Sequence, residues 1–197
     1  MSESQDWMAL LAESGAILDG HFLLSSGRHS ERYVQCARAL ELPERAACLG
    51  EAIAQWIKGP VDRIVSPPLG ALILGHEVAR SLGIPFAFPE REAGGDYVFR
   101  RGFEIRPGER IYVVEDVITT GKTTAEVLAA IRASGAEIIG VGAIVDRSET
   151  HDVAGIPIDA LLRMMIPTYP AEACPACRRG SVPIKPGSRV MEGGERR

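Results

Sequence analysis

Apolar positions recur at two spacings along the chain, and their alternation predicts an α/β fold. Residues 7–18, WMALLAESGAIL, carry apolar side chains at helical spacing and predict an amphipathic helix ending near Gly20. The segment 22–34, FLLSSGRHSERYV, reads as two short extended pieces around a Ser-Gly turn. Ala47, Leu49, Ile53, Ala54 and Ile57 mark a helix over 44–58, which Gly59-Pro60 stops. A regular beat follows: strand 61–65, loop 66–70, helix 71–82 ending at Gly83, and strand 84–88. After a Gly-rich stretch come strand 110–115, helix 122–134 closed by Gly135, strand 138–145 and a short strand at 160–164. Strands alternating with helices predict a parallel sheet flanked by helices. From Pro167 the periodicity fades into a tail rich in Pro, Gly, Cys and Arg.

Composition narrows the class. The chain has 197 residues, 46% of them hydrophobic, enough for one domain with a full core. No apolar run approaches the roughly 20 residues of a membrane span. The polar N-terminus lacks the pattern of a secretory signal, so a cytoplasmic protein is expected. A net charge of −4 with mixed signs argues against a broad nucleic-acid surface.

The four cysteines, Cys36, Cys48, Cys174 and Cys177, do not form a secreted-type disulfide framework. Cys174-Pro-Ala-Cys177 is half of a typical zinc site. No second half stands at ligand spacing, although Cys36, Cys48 or a histidine can approach in the fold. A structural or incidental role is favoured, with zinc and redox readings open.

The densest chemistry lies in Ile111–Thr124. An apolar strand runs into Glu115-Asp116, and Thr119-Thr120-Gly121 opens a helix with Lys122, Thr123 and Thr124. A helix N-terminus offers unpaired N–H groups and a partial positive charge, so it holds an anion. Threonine hydroxyls and a glycine complete a monophosphate cradle. Two carboxylates beside a phosphate are unfavourable unless something needs them. Ribose hydroxyls need acceptors, and a developing ribosyl cation needs negative charge. Ordinary helix capping by threonine leaves the acids unexplained. A Walker A loop is excluded, because its first glycine falls on Asp116.

These residues resemble the phosphoribosyl-diphosphate motif of type I phosphoribosyltransferases. The resemblance implies that fold, as a single domain over 1–197. Its core would cover about 45–165, and a small hood would come from 1–44 and the 166–197 tail. It implies that Glu115 and Asp116 bind the ribose hydroxyls and act in catalysis. Val117, Ile118, Thr119, Thr120, Gly121, Lys122 and Thr123 would hold the 5-phosphate. Within the family, Phe22–Tyr33 resembles the N-terminal signature of orotate phosphoribosyltransferases, with Ser26 at the orotate. Val61–Gly70 resembles their diphosphate loop, with Leu69 and Gly70. Ile144-Val-Asp146-Arg147 resembles the strand end that carries the base-binding arginine. Thr119 and Arg147 are thereby assigned to orotate, whose carboxylate suits a guanidinium fork.

The implied reaction joins orotate to phosphoribosyl diphosphate with Mg²⁺, in a homodimer. Mg²⁺ would be held mainly by substrate and water, since no dedicated side-chain metal cluster is visible. One departure stands out. The mobile-loop stretch Pro89–Gly102 has no lysine and no histidine, and Glu92 stands where a lysine is common. Ser25 likewise replaces a common lysine. Arg91 matches the family's leading arginine and is assigned to catalysis and diphosphate binding. Either Arg91, Arg100 and Arg101 supply the charge, or the chain binds phosphoribosyl diphosphate as a poorly active regulator. A purine or uracil transferase is the remaining alternative.

Overall fold

The computed structural model describes residues 6–186. The chain divides into two units, one of residues 6–16 with Gln35–Met165, the other of Ile17–Val34 with 166–186. The expected hood of 1–44 and the tail differs from this division, in which residues 6–16 group with the larger unit. From the first half of the chain the smaller unit takes Ile17–Val34, and 35–44 group with the larger one.

In the larger unit, helix α1 spans Trp7–Glu13. Asp6 caps it by accepting from the Ala9 N–H at 3.0 Å, satisfying one of its orphan donors. The apolar spacing runs on to Leu18, yet the helix stops, because Gly15 takes a left-handed φ of 69°. Residues 17 and 18 instead begin strand β1, Ile17–Leu23, which pairs antiparallel with β2, His29–Val34, in the smaller unit. The turn at Ser26-Gly27 falls where the sequence places it.

The larger unit continues with α2 (Ala37–Leu40), α3 (Pro43–Ala54), β3 (Arg63–Val65), α4 (Leu72–Leu82) and β4 (Phe86–Ala87). Strands β5 (Pro89–Arg91) and β6 (Tyr97–Phe99) form a separate antiparallel hairpin, where the sequence reads only a Gly-rich stretch. Then come β7 (Arg110–Ile118), α5 (Lys122–Ala133), β8 (Glu137–Asp146), β9 (Asp152–Val153) and β10 (Ile156–Arg163). The main sheet has six strands in the order β4-β3-β7-β8-β10-β9, parallel except for β9.

Strand β7 lies in the interior of the sheet and is buried on both faces, as its apolar run requires. Ile111 and Val113 pack with Val127, Leu128 and Ile131 of α5, and Val141 and Ala143 of β8 join the same cluster. Ile64, Leu49, Ile53 and Leu74 add further fully buried side chains from β3, α3 and α4. A buried aliphatic side chain contributes about 1.5–3 kcal/mol, so this core fixes the height at which β7 ends. Among the described residues, no helix is long and apolar enough to cross a membrane.

In the smaller unit, a 3₁₀ turn at Ala171–Ala173 precedes α6, Pro175–Arg178. Backbone hydrogen bonds tie the hairpin to the tail. The Leu23 N–H donates to Ile184 O, and His29 exchanges two bonds with Tyr169, each at 2.8 Å.

Candidate active site at the carboxyl end of the sheet

A pocket of about 240 Å³ opens at the carboxyl ends of β3 and β7. Its lining runs from Glu115 through Thr124, with Pro67, Pro68 and Gly70 facing them from the loop after β3. That is where an open parallel sheet offers ligands its strand ends. Gly70 belongs there for steric reasons, since a Cβ would lie 2.6 Å from Asp116 Oδ2. Leu69 beside it is 81% exposed and is not part of the lining.

The helix side of the pocket is built for an anion. Gly121 is the N-cap of α5 at φ 69°, and its own lack of a side chain leaves the first turn uncapped. A Cβ on Gly121 would also meet Val153 at 2.9 Å. The exposed hydroxyls of Thr119, Thr120 and Thr123 surround these N–H groups, with Lys122 among them. The Lys122 N–H lies 3.4 Å from Thr120 Oγ1.

The acid side differs residue by residue. Glu115 is buried, accepting from the Asp116 N–H at 3.2 Å and from Thr124 Oγ1 at 3.4 Å. Burial first, and the neighbouring Asp116 charge second, push its carboxyl well above the usual carboxylate range. Asp116 is half-buried, and its Oδ1 accepts the Val117 N–H at 2.8 Å. Behind the pair, the buried Cys36 thiol lies 3.8 Å from Asp116 O. Burial, then Asp116 and Glu115, push that thiol up as well, so it stays neutral.

Arg147 follows the last residue of β8, and its backbone N–H donates to Ile118 O at 2.8 Å. It therefore stands across the strand pair from Thr119, though it is not part of the pocket lining. A network that the sequence did not announce lies beside it in the chain. Buried Asp146 accepts from the Ser148 N–H at 2.8 Å and Ser148 Oγ at 2.6 Å, and meets His151 Nδ1 at 2.5 Å. Burial draws the Asp146 carboxyl upward, but the Ser148 and His151 hydrogen bonds outweigh it and leave it below the usual range.

Two assigned residues stand elsewhere. Arg91 ends β5, where its Nη2 donates to Glu126 Oε2 of α5 at 2.6 Å and its guanidinium lies 4.3 Å over the Tyr97 ring. Arg100 and Arg101 are held likewise by Glu92 and Glu90, at 2.5 Å each. Arg100 and Arg101 thus pair with acids at the base and turn of their own hairpin and Arg91 with one on α5, and none of the three lines the pocket. Ser26 is exposed in the β1–β2 turn of the smaller unit.

Among the described residues there is also a group of side chains that could hold a metal ion, a grouping not visible in the sequence. His21, His29, Cys174 and Cys177 converge within the smaller unit. The CxxC was the available signal; nothing in the spacing of the histidines pointed to it.

Two acids and an uncapped helix N-terminus thus meet at the carboxyl end of an interior parallel strand. The phosphoribosyl transferase domain model matches residues 44–155. The chain belongs to the phosphoribosyltransferase family. An orotate phosphoribosyltransferase of Thermotoga maritima is 45% identical over 184 residues, covering 93% of this chain and 98% of that protein. One from Acidithiobacillus ferrooxidans is 46% identical over 189 residues, covering 93% and 96%. The solved orotate phosphoribosyltransferase of Aeropyrum pernix shares the fold, with a TM-score of 0.66 at 24% identity over 79% of this chain and 92% of that one. A phosphoribosyltransferase of Corynebacterium diphtheriae gives 0.67 at 26% identity, covering 83% and 96%.

Proposed function

We propose that this chain is an orotate phosphoribosyltransferase. Orotate N1 gives up its proton and bonds to C1 of phosphoribosyl diphosphate as the C1–O bond to diphosphate breaks, giving orotidine 5′-monophosphate, diphosphate and a proton released to solvent or to the diphosphate. The observation that carries the reading is the uncapped N-terminus of α5 beside Glu115 and Asp116, in a chain whose near full-length relatives bear this name. The first turn of α5 and the hydroxyls of Thr119, Thr120 and Thr123 bind the 5-phosphate. Asp116 accepts from the ribose hydroxyls and faces the charge that develops at C1. Arg147 and Thr119 take the orotate carboxylate and ring.

Mg²⁺ fits this site, because the acidic and hydroxyl groups lining it offer oxygen donors of the kind that ion prefers. When bound it would neutralise the leaving diphosphate, and Asp116, with the threonine hydroxyls, would offer it oxygen donors. A homodimer and a cytoplasmic setting belong to the proposal on the family resemblance alone.

The test is loss of orotate's ultraviolet absorbance on adding phosphoribosyl diphosphate and Mg²⁺. Turnover of another base with orotate untouched would overturn the assignment. A second reading has an observation in its favour: Arg91, Arg100 and Arg101 are all engaged by carboxylates. It makes the chain a phosphoribosyl-diphosphate-binding regulator. Calorimetric binding of that ligand, without turnover of any base, would establish it.

A further inference from the structure

We infer that His21, His29, Cys174 and Cys177 form a structural zinc site that closes the smaller unit. One ligand atom from each residue comes within 4.8 Å of all the others. Cys174 Sγ lies 3.4 Å from His21 Nε2, and Cys177 Sγ lies 3.3 Å from His29 Nδ1 and 3.7 Å from His21 Nε2. Zn–N bonds of about 2.05 Å and Zn–S bonds of about 2.3 Å put tetrahedral N···S edges at about 3.5 Å. The two histidine nitrogens, 2.9 Å apart, need to open by only a few tenths of an ångström.

Three features separate this cluster from a chance meeting of polar side chains. His21, His29 and Cys174 are buried and Cys177 is half-buried, so polar groups have been brought out of water together. His21 Nδ1 lies 3.0 Å from Ser181 O. A carbonyl only accepts, so this bond keeps the proton on Nδ1 and leaves the Nε2 lone pair facing the thiols, as zinc ligands are commonly oriented. The third feature is the poor core around it. Among the described residues of the smaller unit, the buried apolar side chains other than the ligand Cys174 are Phe22, Val34 and Ala176. So small a unit needs a staple.

The chemistry of the site follows from its donors. Two thiolates and two neutral imidazoles balance the dication and fill a four-coordinate shell, leaving no position for substrate. Binding releases the two thiol protons. The ion ties the hairpin to a tail 153 residues away, and its binding energy becomes folding energy of this unit. Without metal, the same groups would hold one another only by weak N···N and S···N hydrogen bonds.

The full-length protein, purified without chelator from zinc-supplemented medium, should carry about one zinc per chain by mass spectrometry. X-ray absorption should show two sulfur and two nitrogen neighbours. Cobalt loaded in place of zinc should give the intense visible bands of a tetrahedral site and a thiolate charge-transfer band. Cys174→Ser and His29→Ala should each lose that spectrum. Because either variant can fail to fold, the wild-type metal content and absorption spectrum decide the matter on their own. Protein free of metal, an iron centre instead, or Cys174 and Cys177 recovered as a disulfide from native protein would each overturn the proposal.

Discussion

Glu115 and Asp116 are neighbours in sequence, yet their environments separate them. Glu115 is buried against Thr124, and Asp116 is half-buried at the pocket. The raised Glu115 carboxyl means that the folded state binds more protons than the unfolded one. Its contribution to stability is therefore fully present below the ordinary glutamate pKa and is lost as pH rises through the folded value. Glu115→Gln should flatten that slope, seen as a smaller fall in Tm on the alkaline side than the wild type shows; an identical pH–Tm profile would mean that Glu115 titrates normally. Asp116→Asn should lower kcat by about 10²-fold with little change in phosphoribosyl-diphosphate affinity, because its charge is used at the transition state. Steady-state kinetics with calorimetry would decide, and an unchanged kcat removes the role. Arg147→Ala should raise the KM for orotate about 10-fold or more and spare phosphoribosyl-diphosphate binding. Equal loss of both would mean that Arg147, next in the chain to the Asp146–Ser148–His151 network, chiefly holds the strand end.

At the scale of elements, what the sequence made legible was local. Strand β7, the Thr119–Thr124 loop and α5 are contiguous, so their chemistry is readable from spacing alone. The overrun of α1 to Leu18 came from apolar spacing continuing past Gly15, whose left-handed conformation the period does not encode. The β5–β6 hairpin was hidden because its turn residues, Gly94-Gly95-Asp96, resemble an unstructured loop, while its strands are only three residues each. The pairing of Arg91 with Glu126 spans 35 residues and no periodicity announces it. If Arg91 serves the diphosphate, it must first leave that carboxylate. Glu126→Gln should then lower the KM for phosphoribosyl diphosphate severalfold, in initial-rate measurements. A KM that stays put, or rises, would retire Arg91 from the diphosphate site.

On the scale of the whole molecule, the two units draw on different sources of stability. The larger rests on an apolar core between sheet and helices, and the smaller on hydrogen bonds between hairpin and tail around its zinc ligands. Hydrogen exchange should record that difference. Stripping metal with a chelator should speed exchange at Leu23, His29, Tyr169 and Ile184 by about 10-fold or more, and leave the β7 and β8 amides protected. Uniform acceleration across both units would mean that they open together.

The four ligands also set an order of events during synthesis. His21 and His29 leave the ribosome early, but Cys174 follows His21 by 153 residues. At about 5–20 residues per second, the hairpin waits on the order of ten seconds or more for its partners. Throughout that interval its two histidines lack both cysteine ligands, while Gln35–Met165, nearly all of the larger unit, can already be packing. A message truncated before codon 174 would thus yield a chain with every residue of the pocket lining and a hairpin that keeps its Tyr169 bonds but lacks both cysteine ligands.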